Sequence, residues 1–497
     1  MNRLSLDLRA SHVNSGTSVP SARRRWPSVG GRVLRHPKLH LEEQQAEVTA
    51  YGGLALATGL ARMLDLPRLL DERLSLLKRQ LPYTESDHVL SQVYSLYVGG
   101  SCLEDLASLQ GSEAVRRMLG ACRLPDPTTA GDFLRRFGQP ELDSLDEAID
   151  DAQERVWRRR FRRRRQPLAI VDLDSHVQEV YGVQKKGADF SYKGTWSYHP
   201  LVISLAGTQE CLRLINRPGN APSAEGAADQ LRGLLPRLGR RFHRVIVRGD
   251  SAFLDHEILD TCADAGQSFA IVMAGYRNLH DLADKLPEKA WHRFQPRAQR
   301  NKPPESRQRR RRPNLRRRTA RRRMKRDLRL RRQWVTDIPY QPARCKHVYR
   351  LIIRRQLIEE VDKQGNLFDL WRYRFALTNV TDQSAEEVLD LTYRRCDQEN
   401  LIEQLQNGLA GMRMPTGELL SNAAFLCCAR LAHNLKSWLA QLVLPREVAR
   451  WEWKRFRHAF VYVAATVIRR ARQIWVRLAA SHRYHGDLVR ALTRMQT

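Results

Sequence analysis

Apolar and polar positions divide the chain into helical, alternating and strongly basic stretches. From residue 41 to about residue 151 apolar residues recur at steps of three and four, in GLALATGLARMLDL (53–66), SDHVLSQVYSLYVGG (86–100) and PTTAGDFLRRF (127–137), which predicts a small all-α unit. Thr128 or Thr129 is placed to cap the third of these helices, behind a loop marked by Pro125 and Pro127. A longer helix is predicted from Ser144 onward. The pattern then changes. Leu168, Ala169, Ile170 and Val171 form a run expected to be a strand buried on both faces, and it leads into Asp172 and Asp174.

HPLVISLAG (199–207) and ECLRLINR (210–217) read as a hairpin, GNAPSAEGAADQLRGLLPRL as a turn and helix, and RVIVRGD (244–250) as a strand ending in an acid. LDHEILDTCADAG, closed by Gly266, is a predicted helix and QSFAIVMA a further strand. Three strands, helix, strand, helix, strand is the order of an α/β layer on a mixed sheet. A basic segment interrupts it, followed by a hairpin of HVYRLIIRRQLI and LWRYRFALTNV around a turn at 362–366. From Ser384, which forms a capping box with Glu387, the pattern is helical through Trp475, and AFVYVAATVI (459–468) is expected to be a core helix too short to span a bilayer. The expected divisions are 1–40, a disordered basic arm; 41–165, a helical N-terminal domain and candidate DNA-binding unit; 166–274, the first part of an α/β core; 275–380, a basic insertion with a β-hairpin; 381–445, the helical second part of the core; and 446–497, a C-terminal helical region.

Charge narrows the partner. A net +31 over 497 residues, with a pI near 10.5, points to a polyanion, and nucleic acid leads. Between Arg297 and Arg332 stand seventeen Arg and two Lys against only Glu305 and Asp327, more than half of the net charge. Eight of the eleven residues 155–165 are Arg, with Trp157 and Phe161 four apart to anchor one helix face. The eight cysteines include no CxxC pair, as expected of a reduced, cytosolic chain.

Acids on a buried strand need a partner or a metal, because desolvating an unpaired charge costs several kcal/mol. Asp172 and Asp174 are two apart and point to the same side, so strand geometry alone does not rank them. Asp250, at the end of the fourth strand, reads equally as a helix N-cap, and Glu399 as a surface helix charge. If the first and fourth strands are neighbours, Asp174 and Asp250 meet at one edge and a later helix can lay Glu399 across them. Three carboxylates of this kind suit octahedral magnesium.

VDLDSHVQEVYGVQ with Asp174, VRGDSAF with Asp250 and YRRCDQENLIEQLQNG with Glu399 resemble the three motifs of DDE transposases of bacterial insertion sequences. The resemblance implies an RNase H-like mixed sheet flanked by helices, and Asp174, Asp250 and Glu399 as the catalytic ligands of two Mg2+ or Mn2+ ions. Asp174 is preferred to Asp172 because the motif places the acid directly before a small hydroxyl residue, here Ser175. It also implies metal-dependent cleavage of double-stranded DNA at transposon ends, strand transfer into target DNA, a homodimer in a synaptic complex and a bacterial cytoplasmic setting. Arg395 stands in register four before Glu399, whereas Thr392 occupies a usual Tyr position, Gln406 a usual Lys and His176 a usual Thr. Arg395, Gln406, Arg159, Arg163, Arg310, Arg317 and Arg322 are the expected DNA contacts. A nuclease without strand transfer, a catalytically impaired DNA-binding derivative and an RNA-binding protein driven by the arginine tract are the alternatives.

Overall fold

The structure is a computed structural model and describes residues 47–80, 82–162, 164–294, 327–361, 367–471 and 473–496. The N-terminal arm, Arg163, the tract holding Arg310, Arg317 and Arg322, and the turn at 362–366 lie outside the described residues.

After a two-residue strand β1 (Val48–Thr49) come α1 (Leu54–Met63), α2 (Leu66–Arg73), α3 (Glu85–Val98), α4 (Leu106–Gln110), α5 (Glu113–Leu119), α6 (Pro127–Leu134) and α7 (Gln139–Phe161). The cap of α6 is Asp126 rather than either threonine: its carboxylate accepts from the Thr129 amide at 2.9 Å and the Thr129 hydroxyl at 2.7 Å. A charged acceptor at a helix N-terminus gains from the dipole as well as the hydrogen bond. The long helix α7 begins five residues earlier than Ser144, where the Glu141 side chain accepts from the Gly138 amide at 2.9 Å.

The sheet layer follows as β2 (Gln166–Ser175), β3 (Gln178–Glu179), β4 (Asp189–Phe190), β5 (Trp196–Tyr198), β6 (Leu201–Leu205), β7 (Glu210–Ile215), α8 (Ala227–Arg241), β8 (Phe242–Gly249), α9 (His256–Asp264), β9 (Ser268–Met273), α10 (Arg277–Asp284), β10 (His292–Arg293), β11 (Asp327–Tyr340), β12 (Tyr349–Val361) and β13 (Leu367–Thr378). Nine strands share one mixed sheet in the order β10-β11-β12-β13-β9-β8-β2-β6-β7. β2 runs parallel to β8 and antiparallel to β6, so the first and fourth strands of the layer are indeed neighbours. Burial on both sides begins only at Val171, because Leu168 is 40% exposed at the entry of β2 and Ile170 is half-buried.

The 275–380 segment does not stand apart as an insertion. β13 pairs with β9, from Phe375 opposite Met273 to Thr378 opposite Ala270, and continues the central sheet. Without it β9 would present an open edge, and the buried run Phe375, Ala376 and Leu377 supplies the strand that closes it.

The remaining elements are α11 (Ala385–Tyr393), α12 (Cys396–Glu403), α13 (Leu419–Leu442), α14 (Trp453–Phe460), β14 (Ala465–Arg470), β15 (Gln473–Leu478) and α15 (His485–Gln496). The expectation of an all-helical C-terminus, and of a core helix over 459–468, is corrected here. α14 stops at Phe460, and β14 alternates buried Ala465 and Val467 with half-buried Thr466 and Ile468. β-Branched residues at a two-residue period fit a hairpin better than a helix. β14 also pairs with β1, tying the C-terminal hairpin to the N-terminal helices. Gly53 permits that junction: a Cβ there would lie 1.7 Å from the Phe460 carbonyl oxygen.

For the same reason the N-terminal helices are not an independent unit. They share one core with α13, which is buried around nearly its whole circumference, and with α14 and α15. A helix buried on all sides belongs at the centre of a fold. Polar residues on α13 bind the outer strand: Asn434 accepts from the Cys211 amide at 2.8 Å and donates to its carbonyl at 2.9 Å, capping the free edge of β7. Among the described residues no helix is long and apolar enough to cross a membrane.

Two buried histidines make the fold sensitive to acid. Burial lowers the pKa of His433 to about 3 and of His88 to about 4. Both groups bind fewer protons folded than unfolded, so their contribution is complete above about pH 6.5 and is lost as pH falls through the folded values. Urea denaturation between pH 7 and pH 4 should show stability falling by up to about 1.4 kcal/mol per pH unit for each histidine, with the His433 part absent in His433→Gln.

Candidate active site

Asp172 and Arg248 are direct register partners on the parallel strands β2 and β8. Two residues further along each strand stand Asp174 and Asp250, so both acids leave the carboxyl ends of adjacent strands on one face. Asp172 is completely buried, and its two carboxylate oxygens accept from Arg248 Nε and Nη2 at 2.7 Å each. Its charge is therefore already committed to the arginine. Asp174 is half-buried, one oxygen accepting from the Ser175 amide at 2.8 Å and the other facing Arg395 Nη2 at 3.4 Å. Asp250 accepts from the Ala252 amide at 2.9 Å, capping the short turn Ser251–Phe253.

Glu399 is brought in by its neighbour. Gln398 is buried, donates to the Val202 carbonyl at 3.1 Å and accepts from the Ser204 hydroxyl, which pins the first turn of α12 to β6. Val202 is the register partner of Asp174, and Glu399, the next residue on the helix, is exposed. The Asp174 carboxyl is raised above its ordinary pKa by burial, opposed by the Arg395 guanidinium and the Ser175 amide, and raised further by the charges of Asp250 and Glu399. The three acids thus share one electrostatic field. Among the described residues, however, no group of three His, Cys, Asp or Glu side chains is drawn together closely enough to hold a metal ion as it stands. In kind the donors suit a hard divalent cation; they do not yet form a coordination sphere.

The model of the family described as Transposase DDE domain group 1 matches residues 32–497. The chain belongs to this DDE transposase family. No curated protein matches it. Among solved structures, a piggyBac transposase synaptic complex with hairpin DNA, determined by cryo-EM, is similar at 10% identity and a TM-score of 0.35, over 83% of this chain and 81% of that one. At that score the likeness is one of outline only.

Several basic residues of the transposase donate to backbone carbonyls. Arg395 does not share a continuous helix with Glu399: the chain breaks between α11 and α12, and Arg395 reaches back to donate to the Leu173 carbonyl at 2.6 Å beside Asp174. Arg159 donates to the Met63 carbonyl at 3.1 Å, and Arg155 to the Leu64 carbonyl at 2.8 Å, so this part of the arginine collar closes the C-terminal end of α1. Arg165 is engaged likewise by the Gly239 and Phe242 carbonyls. Gln406 is half-buried in the widened turn Gln404–Gly408 that extends α12. Thr392 is fully buried with its hydroxyl donating to the Val388 carbonyl at 2.7 Å. Burial, with Lys193 and His199 adding to it, lowers the His176 pKa, so His176 brings no positive charge to Asp174 at neutral pH.

Arg248 and Gln398 do not stand out as site residues in the sequence. A signal for Arg248 is nevertheless present: it precedes Asp250 by the same two residues by which Asp172 precedes Asp174.

Proposed function

We propose that this transposase, of bacterial insertion-sequence type, cuts double-stranded DNA at transposon ends and joins the freed 3′ hydroxyl to target DNA. Asp174, Asp250 and Glu399 would hold two Mg2+ or Mn2+ ions. The observation that carries this is the placing of Asp174 and Asp250 at the ends of adjacent parallel strands, with the ionisation of Asp174 coupled to both other acids. The strand order β7-β6-β2-β8-β9, three antiparallel strands followed by two parallel ones, supports an RNase H-like core.

Bound divalent ions would supply Lewis-acid activation of water or a 3′ hydroxyl and neutralise charge on the phosphate under attack. The chain's own residues do the rest. Arg395 holds Asp174 ionised and aimed, Gln398 fixes the turn that carries Glu399, and the half-buried setting of Asp174 limits competing water. Arg163, Arg310, Arg317 and Arg322 contact phosphates, as do Arg159, where its remaining donors allow, and Gln406. The active assembly is a homodimer pairing two ends, in the bacterial cytoplasm.

The test is Mg2+-dependent cleavage of DNA carrying the repeats that flank the coding region, followed by joining to a target plasmid. Cut and joined products are expected; cut product that is never joined would reassign the chain as a nuclease, and no cleavage in Mg2+ or Mn2+ would sink the proposal.

The basic tract offers a separate check. Replacing the arginines and lysines of 297–326 by serine should lower the slope of log affinity against log salt by about 0.9 for each phosphate that is no longer neutralised, as read by fluorescence anisotropy, while the thermal unfolding of the sheet stays in place. Gln406→Lys should raise DNA affinity about threefold at low salt.

A further inference from the structure

We propose that Arg248 is a positioning residue: with Asp172 it clamps the three segments that carry the acids, and so sets where Glu399 stands relative to Asp174 and Asp250. This rests on the reading of those acids as the catalytic set.

Arg248 is 3% exposed, and its guanidinium hydrogen bonds reach two other elements. Nε and Nη2 grip Asp172 on β2, while Nη1 donates to the Leu391 carbonyl of α11 at 2.7 Å. Carbonyls in a helix's last turn lack partners within the helix and carry its negative dipole end, so a guanidinium is well matched there. Each anchor lies close to an acid along the chain. Asp172 precedes Asp174 by two residues, Arg248 precedes Asp250 by two, and Leu391 is followed by the break at Arg394–Arg395 from which α12 carries Glu399.

α11 packs on the sheet through Val388 and Leu389, with Leu391 against the same cluster. A cavity of about 640 Å³ opens between strand and helix, lined among others by Ile170, Ala206, Arg248, Glu387, Leu391 and Asp397. Arg248 and Leu391 both belong to its wall, where the hydrogen bond between them ties the end of α11 to β8. Burying an ion pair costs desolvation that an apolar pair of equal shape would avoid, so stability is a poor reason for this one. Direction is a better one: a planar guanidinium bound on two edges fixes both strand register and helix end, which a lysine ammonium cannot do.

The experiment compares Arg248→Lys and the apolar double variant Asp172→Leu/Arg248→Met with the full-length wild type. Three quantities are read: cleavage kcat and KM for DNA, Mn2+ binding without DNA by electron paramagnetic resonance, and hydrogen exchange over residues 391–399. Positioning predicts a double variant that folds with wild-type unfolding midpoint, yet falls about a hundredfold in kcat at unchanged KM, binds Mn2+ about tenfold more weakly and exchanges faster at 391–399. A folded double variant with wild-type kcat and Mn2+ binding overturns the proposal and leaves a merely structural pair. If the double variant does not fold, Arg248→Lys decides: unchanged Mn2+ binding and kcat overturn it. The site itself is judged apart by Asp174→Asn. Cleavage surviving that change would undo the assignment of the acids, whereas a dead Asp174→Asn beside normal Arg248 variants would undo the clamp alone.

Discussion

Asp174→Asn should lower the cleavage rate by about 10³-fold, equivalent to ~4 kcal/mol of barrier, while leaving the fold as stable as before or more so. The two effects follow from one feature of the site. Burial and the charges of Asp250 and Glu399 raise the Asp174 pKa against the opposing pull of Arg395. A carboxyl with a raised folded pKa binds protons more readily folded than unfolded, so its contribution is greatest at low pH and is lost as pH rises through the folded value. At neutral pH the ionised group is therefore a cost, and a neutral amide removes it. The check is paired: end-cleavage kinetics and a thermal melt at pH 7.5. Abolished cleavage with an unchanged or higher Tm marks a catalytic carboxylate, whereas abolished cleavage with a clearly lower Tm would mark a structural one. Asp250→Ala provides a contrast, since it also removes the cap of the Ser251–Phe253 turn and should cost about 1 kcal/mol of stability.

Arg430→Met should destabilise the protein by about 3–5 kcal/mol, the largest loss expected from any single change away from the acids. Arg430 is completely buried on α13, donates to Asp146 and, at 2.7 Å, to Asp150 on α7, and reaches the Cys211 carbonyl of β7 at 3.2 Å. Asp150 is also held by Arg213 at 2.7 Å and Arg237 at 3.3 Å. Burial works against its ionisation, but the three guanidinium groups outweigh it and keep its carboxyl well below the usual range. Removing Arg430 leaves Asp146 with only the more distant Arg213, at 3.7 Å, and takes from Asp150 one of its three guanidinium partners. Urea titration at pH 7 measures the loss, and the Asp150 share of stability should disappear as pH falls below about 4. A change under about 1 kcal/mol would mean that Arg213 and Arg237 carry the network alone.

Much of the active-site layer was legible because its signals are local. The apolar run before Asp172, the strand ending at Asp250 and the capping box at Ser384 each declare an element within a few residues. The adjacency of the first and fourth strands was a condition that the sequence left open, and the pairing of β2 with β8 meets it. What could not be read were contacts between residues distant in sequence. Asp172 and Asp174 look equivalent until Arg248, 76 residues on, is found to hold the first of them. The arginines near α7 look like a phosphate surface, yet Arg155, Arg159 and Arg165 spend donors on carbonyls 91, 96 and 74 residues away. Arg395 keeps its spacing from Glu399 but stands at the cap of α12 rather than on its face, because the backbone breaks there and turns the guanidinium toward the Leu173 carbonyl of β2.

The strong positive charge, the succession of strands and helices around three acids, and the chemistry those acids suit were determined by the sequence by itself, since periodicity, charge and residue type act over a turn or a strand. The tertiary structure alone decided that the supposed insertion extends the central sheet, that the N-terminal helices share a core around α13 with the C-terminal elements, and that Arg248 is the partner of Asp172. Those outcomes turn on which buried polar group meets which partner, and a desolvated charge is satisfied by whatever the fold brings beside it.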